Sequence, residues 1–206
     1  WPLHGNDWHH GLNRAFSGSA QDEAELYREM QAHSLRFADA LARASAGWLQ
    51  RGQGFPPEAG SPSASLAAMP YWREGRRLVG LDTLIEQDLL PQAAGASIAA
   101  LPCNDAGELQ AIAVGNYAND HHYPGADWPL AAKSCRWGGR WSGTPFALPY
   151  GALVSREVEN LLAADKATSI SHMANGATRL QPLILNTGQA AGAAAALCIR
   201  RGCAPA

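Results

Sequence analysis

Residues 160–197, NLLAADKATSISHMANGATRLQPLILNTGQAAGAAAAL, constrain the fold more than any other stretch of this chain. A short apolar run at 161–164 ends at Asp165 and reads as a strand with a carboxylate at its carboxyl end. A Ser/Thr/Asn-rich loop follows, and then a helix led by Gly188 and built almost wholly of small residues. Open α/β sheets place their ligands at such strand ends. Bare N–H groups at a helix start, backed by its dipole, favour negative charge. A strand and a small-residue helix that merely pack closely would satisfy the same spacing.

The rest of the composition narrows the field. At 206 residues the chain can form one large domain or two small ones. A net charge of −2 carries no footprint for nucleic acid or an anionic membrane. The longest apolar stretch, around 190–199, is too short for a membrane span. Cys103, Cys135, Cys198 and Cys203 contain no C-x-x-C pair, which argues against zinc and demands no disulfide. The compartment, cytoplasmic or periplasmic, stays open. The dense opening at Trp1-Pro2, without methionine or signal pattern, suggests an excerpt from within a longer reading frame.

Residues 1–18 read as a loop, whose His4, His9, His10 and Asp7 match no metal-site helix pattern, so no metal is expected. Residues 19–51 predict a long helix capped by Ser19, with Asp22 and Glu23 in its first turn and Gly52 as the stop. Its buried stripe would be Leu26, Met30, His33, Phe37, Leu41, Ala44 and Trp48, which makes His33 a packing histidine. Proline and glycine make 52–70 a linker. Arg73, Arg76 and Arg77 could bind an anion or form a salt-bridged strand end, and Asp82 caps a core segment over 81–90. Residues 97–117 predict a β-hairpin around Asn104–Gly107, its second strand leading to Asp120, His121 and His122 in a cleft-facing loop. Residues 126–145 are loop-like, and 146–154 lead into the opening stretch.

Three strings, YWREGRRLVG, GNYANDHH and PYGALVSREVENLLAADKATSISHMANGATRLQPLILNTGQAAGAAAAL, resemble in order the carboxyl-terminal half of FAD-dependent oxidoreductases of the glutathione-reductase-like superfamily. The likeness runs over about residues 1–199. Its specific part is Asn160-Leu161-Leu162 with Ala164-Asp165, then Arg179, then Gly188-x-x-x-Gly192. It implies an α/β fold, the C-terminal part of a two-domain FAD-binding Rossmann-type flavoprotein. Residues 1–150 would be a substrate-side portion with a long helix and mixed sheet, and 151–206 the last strand and helix of the cofactor domain.

The resemblance also implies roles. Asp165 would bond a ribityl hydroxyl of FAD, Arg179-Leu180-Gln181-Pro182 would lie along the isoalloxazine ring, and the N–H groups around Gly188-Gln189-Ala190 would face its pyrimidine edge. Reduced flavin gathers negative charge there, which a helix N-terminus stabilises. The family's G-x-G-x-x-G pyrophosphate loop is missing from this sequence. Either a second chain carrying that Rossmann half completes the site, which is the expectation here, or the sequence is an excerpt of a longer protein. Hydride transfer from an alcohol, amine or amino acid also needs a base, and histidine titrates near neutrality. His122 or His172 is the expected base, with His121 a further candidate and Asp120 orienting a ring; Asn175 could orient His172. Arg179 could instead hold a substrate carboxylate. The rival reading is a non-catalytic subunit of a flavoprotein complex.

Overall fold

The computed structural model describes residues 5–52, 66–67, 69–117, 120–121 and 144–206. They fall into two compact units, one within Trp1–Trp72 and one within Arg73–His121 and Leu130–Ala206. The linker expected at 52–70 and the loop at 126–145 lie largely outside the described residues, as does His122.

In the first unit a one-turn helix, α1 (Arg14–Ser17), precedes the long helix α2 (Ala20–Ala44). The start of α2 is as the sequence predicts. Ser19 Oγ accepts from Asp22 N–H at 3.2 Å, and Asp22 Oδ2 accepts from Ser19 N–H at 2.7 Å, a closed capping box. Its end is earlier than predicted. Ala46 and Gly47 turn left-handed at φ +52° and +82°, and Gly47 N–H reaches back to the Ala42 carbonyl at 2.7 Å. The stop is therefore Gly47 rather than Gly52, which leaves Trp48 83% exposed instead of on the stripe. Leu26 is fully buried, and Arg14 forks onto Glu29 across the α1–α2 corner. His33 stacks edgewise on Trp8, with ring centroids 5.4 Å apart.

The second unit is woven from short extended segments rather than a broad sheet. Strands β1 (Ala111–Gly115) and β2 (Phe146–Pro149) pair antiparallel, Gly115 against Phe146 and Ala111 against Pro149, with an irregularity between Ala111 and Ala113. The Asn104–Gly107 turn forms as predicted: Gly107 N–H donates to the Asn104 carbonyl at 2.9 Å, and Cys103 bridges Leu109. The strand after it does not fold back on 97–101, however. It pairs with β2, because the apolar 146–149 run offers a fully buried partner, whereas Leu101 stays exposed.

Around this ribbon, Leu81 N–H donates to Val154, Ser155 to Leu161, Ala163 to Leu153, and Leu84 to Ser169. The strand expected at 161–164 is thus only an extended segment bridged through Leu162 to Val154. The core comprises Leu84, Leu89, Phe146, Leu148, Leu153 and Ile170 together with Ala174, Ala177, Leu183 and Ala191 from the two helices that follow. A 3-10 turn at Glu86–Leu89 is capped by Asp88, whose Oδ2 accepts from Ile85 N–H at 2.8 Å, not by Asp82.

The stretch read as a loop holds a helix, α3 (His172–Thr178), capped by Ser171 Oγ on Ala174 N–H at 3.1 Å. The final helix, α4 (Gln181–Arg201), begins seven residues before Gly188. Pro182 in its first turn is the start signal, since proline lacks the N–H that a first turn leaves unpaired. Helix α4 packs on β1; Leu183, Thr187 and Ala191 are its buried residues, and most of the others are exposed. At 21 residues it is long and apolar enough to cross a membrane by length and composition alone, where the sequence reading counted only 190–199.

One close approach shows how tightly the segments cross. A Cβ on Gly80 would stand 2.7 Å from the Gly151 carbonyl oxygen and 2.9 Å from that of Asp82. Neither can retreat, because Gly80 is bridged to Ser155 and Asp82 N–H is bonded to Gly151. Gly80→Ala is expected to destabilise the second unit by about 1–3 kcal/mol, read as a lower urea midpoint at unchanged slope. A shift within about 0.5 kcal/mol, as at an ordinary surface site, would contradict this crossing.

Candidate functional site

Two histidines distant in sequence meet in the second unit. His121 follows the segment leaving β1, and His172 is the first residue of α3; their ring centroids lie 4.9 Å apart. His172 Nδ1 lies 2.8 and 2.9 Å from the two oxygens of Glu74, whose Oε1 also accepts from Arg77 Nη1 at 2.7 Å. A carboxylate only accepts, so Nδ1 carries the proton and the neutral ring keeps its lone pair on Nε2. His172 is 55% exposed, so that nitrogen can meet a small molecule.

The backbone holds this arrangement in place. Asn175, 3% exposed, donates from Nδ2 to the Arg73 carbonyl at 3.1 Å and pins the 73–74 bend against α3. Asn175 thus acts on the segment bearing Glu74, not directly on His172 as the sequence reading had it. Glu74 was missed there because its interest lies in a contact across 98 residues of chain. The three arginines around it were noticed instead, and Arg77 serves the salt-bridged role rather than an anion site.

Asp120 is engaged by an arginine. Its Oδ2 accepts from Arg179 Nη2 at 2.9 Å, and the same nitrogen reaches its carbonyl at 3.3 Å. Arg179 is 4% exposed, and its guanidinium is buried against Asp120. The pair ties the 120–121 segment to the end of α3.

His121 donates from Nε2 to the Met173 carbonyl at 2.9 Å, since a carbonyl can only accept. Burial pushes this imidazole below its ordinary range; His172 and Arg179 add to the effect, while the Met173 bond and Glu74 oppose it. Unfolding exposes a histidine of ordinary basicity, which binds a proton first as pH falls. The stability contributed by neutral His121 is complete above the ordinary imidazole value and is lost as pH drops toward the lowered one. Between about pH 8 and about pH 5, His121→Gln, which keeps a donor for Met173, is expected to flatten the acid loss of the urea midpoint. Equal pH slopes for the two proteins would contradict the half-buried neutral ring.

The remaining predicted residues lie elsewhere on the unit. Asp165 is exposed, heads a 3-10 turn (Asp165–Ala167) with φ +59°, and its Oδ1 accepts from Lys166 N–H at 2.6 Å. Asn160 takes the same left-handed backbone, so turn geometry alone favours Asn and Asp at these two positions. Leu180 caps α4, and Gln181 and Pro182 are exposed in its first turn. Gly188, Gln189 and Ala190 are inside the helix, where their N–H groups belong to its ladder; amides left unpaired at its start are those near Gln181 and Leu183.

These residues suit one end of FAD and not the other. The exposed Asp165 carboxylate can accept from a sugar-alcohol hydroxyl. Gly188 and Gly192 have nothing within 4 Å of an added Cβ, so the chain's own packing does not call for glycine there. For the pyrophosphate, no glycine-rich turn joins a strand to a helix among the described residues, and α4 is entered from α3.

A carboxylate-bonded imidazole thus lies beside a second, half-buried one on a mixed α/β scaffold. The chain belongs to the FAD dependent oxidoreductase family, whose model matches residues 5–206. No curated protein and no solved structure matches it.

Proposed function

We propose that this chain is the C-terminal part, or a subunit, of an FAD-dependent oxidoreductase of the glutathione-reductase-like superfamily that oxidises an alcohol-, amine- or amino-acid-type substrate. The observation that carries the reading is Glu74 bonded to Nδ1 of an exposed His172, in a chain of this family. His172 Nε2 takes the proton from the substrate hydroxyl or amine. Glu74 fixes the tautomer and balances the charge that builds on the ring, and Arg77 holds Glu74. His121 lies against the His172 ring and, being neutral, adds little repulsion when that ring becomes charged.

When bound, FAD supplies the two-electron acceptor for the substrate's hydride. Asp165 would hold its ribityl chain, with Arg179-Leu180-Gln181-Pro182 and the Gly188-Gln189-Ala190 face of α4 beside the ring system. The pyrophosphate would be held by a G-x-G-x-x-G segment outside this sequence, on a second chain or elsewhere in a longer one. Within this reading, residues 1–150 face the substrate and 151–206 complete the cofactor domain.

The test is purification of the native assembly. A yellow flavin absorption that bleaches when substrate is added supports the enzyme, and Asp165→Ala should lower the FAD content. A complete assembly that carries no flavin would sink the reading and leave a non-catalytic subunit.

A further inference from the structure

The end of α4 brings two cysteines together. Gly202 follows the helix in the left-handed conformation at φ +63°. Cys203 N–H then donates to the Cys198 carbonyl at 3.1 Å, and Gly202 N–H to that of Ile199 at 3.4 Å. These two bonds make a Schellman ending, in which the side chain just past the helix meets one from its last turn. That meeting pair is usually apolar; here it is Cys203 and Cys198, whose backbones are joined by the 3.1 Å bond. Cys203 is exposed and Cys198 half-buried, and neither belongs to the histidine site. Beyond them the tail is pinned: the Tyr150 hydroxyl donates to the Pro205 carbonyl at 2.9 Å. The turn is thus held from both sides, with the two cysteines brought together by its backbone bond.

We propose that Cys198 and Cys203 form an oxidisable dithiol that closes reversibly into a disulfide across the end of α4, with hydrogen peroxide as the oxidant. The exposed Cys203 reacts first. Its thiolate sulfur bonds to one peroxide oxygen, the O–O bond breaks, and the departing hydroxide takes up a proton to become water. Cys203 is now a sulfenic acid. The Cys198 sulfur, having released its proton, attacks the Cys203 sulfur; the S–O bond breaks and a second water leaves. Two thiols have given two electrons to one peroxide, and a dithiol reductant reverses the change.

The order of events follows from the surroundings. Desolvation, with the Cys203 thiol beside it, pushes the Cys198 thiol up, so Cys198 is the slower nucleophile and the resolving partner. Disulfides demand neighbouring α-carbons with side chains directed at each other, and the Schellman backbone bond supplies that neighbourhood before oxidation. Closure fixes the C-terminal turn of the helix that also packs on β1 and on the Asp165–Ala167 turn.

The native full-length protein is treated with an equimolar amount of hydrogen peroxide, denatured, blocked with N-ethylmaleimide and digested with trypsin. Arg200 and Arg201 lie between the two cysteines, so trypsin separates them unless a disulfide joins the fragments. The expected result is a linked pair of peptides that disappears on dithiothreitol treatment, with Cys103 labelled throughout. In Cys198→Ser, Cys203 is expected to stop at the sulfenic acid and be captured by dimedone. Full labelling of both cysteines after peroxide would overturn the proposal. So would Cys203 joined to Cys103 or Cys135, or Cys203 in the unaltered protein advancing to sulfinic acid as readily as in Cys198→Ser. None of these readouts depends on flavin, so failure here leaves the oxidoreductase reading standing, and the reverse.

Discussion

His172→Ala is expected to slow substrate oxidation by the FAD-loaded assembly by about 10²–10⁴-fold, the usual worth of a positioned general base. FAD content should not change, because His172 touches Glu74 and His121 rather than Asp165 or α4. Glu74→Gln is the more discriminating variant. Its amide oxygen can still accept from Nδ1–H, so the ring stays oriented, but the charge that balances a protonated imidazole is gone. The loss should therefore fall mainly on kcat, with KM nearly unmoved, as for an interaction made in the transition state. Added imidazole should partly restore His172→Ala and should do nothing for Glu74→Gln. His122→Ala is the parallel measurement, since His122 is the rival base outside the described residues. If His172→Ala and Glu74→Gln both oxidise substrate at the unaltered rate, this assignment fails; a loss confined to His122→Ala would move the base there.

Much of what surrounds these residues was legible from local chemistry. Ser19 with Asp22 announced the start of α2, and Asn104–Gly107 announced a turn, because caps and turns are decided by residues within four positions of one another. His121 and His172 were both singled out as ionisable residues in polar segments, and the fold brings their rings together. What the chain did not disclose is pairing at a distance. Glu74 reaches His172 only because Asn175 pulls the 73–74 bend onto α3, and nothing near Glu74 in sequence foretells that. The same holds for β1, whose partner β2 lies far along the chain.

The misplaced helix start has a different cause. Gly188 reads as a beginning because glycine and small residues follow a polar stretch. Yet glycine inside a helix costs only about 1 kcal/mol, which a long packed helix absorbs. Pro182 was the better marker and was present in the sequence. The correction shifts the electrostatic argument by two turns: any amide donors offered to an anion come from near Gln181 and Leu183. That position directly follows Arg179, so the ion pair at the α3–α4 corner bears on both the histidines and the helix start.

Arg179→Ala is accordingly expected to cost about 3–5 kcal/mol of stability, the range for removing one partner of a buried ion pair. The guanidinium is 4% exposed and serves both the carboxylate and the carbonyl of Asp120, so its loss strands an acceptor and opens a cavity together. Asp120→Asn should cost less, because the amide still offers an oxygen to Nη2 and Asp120 is 23% exposed. Arg179→Lys should resemble alanine more than arginine, since one ammonium cannot reproduce the planar donor reaching two oxygens. A double-mutant cycle between Arg179→Met and Asp120→Asn, read from urea midpoints, isolates the coupling. Coupling below about 1 kcal/mol would rank the pair with ordinary surface bridges. The 120–121 segment would then be held by other contacts, and His121 would keep its place against His172 even when Arg179 is removed. Coupling at the upper end would mean that the residue once suspected of gripping a substrate instead fixes where the second imidazole stands.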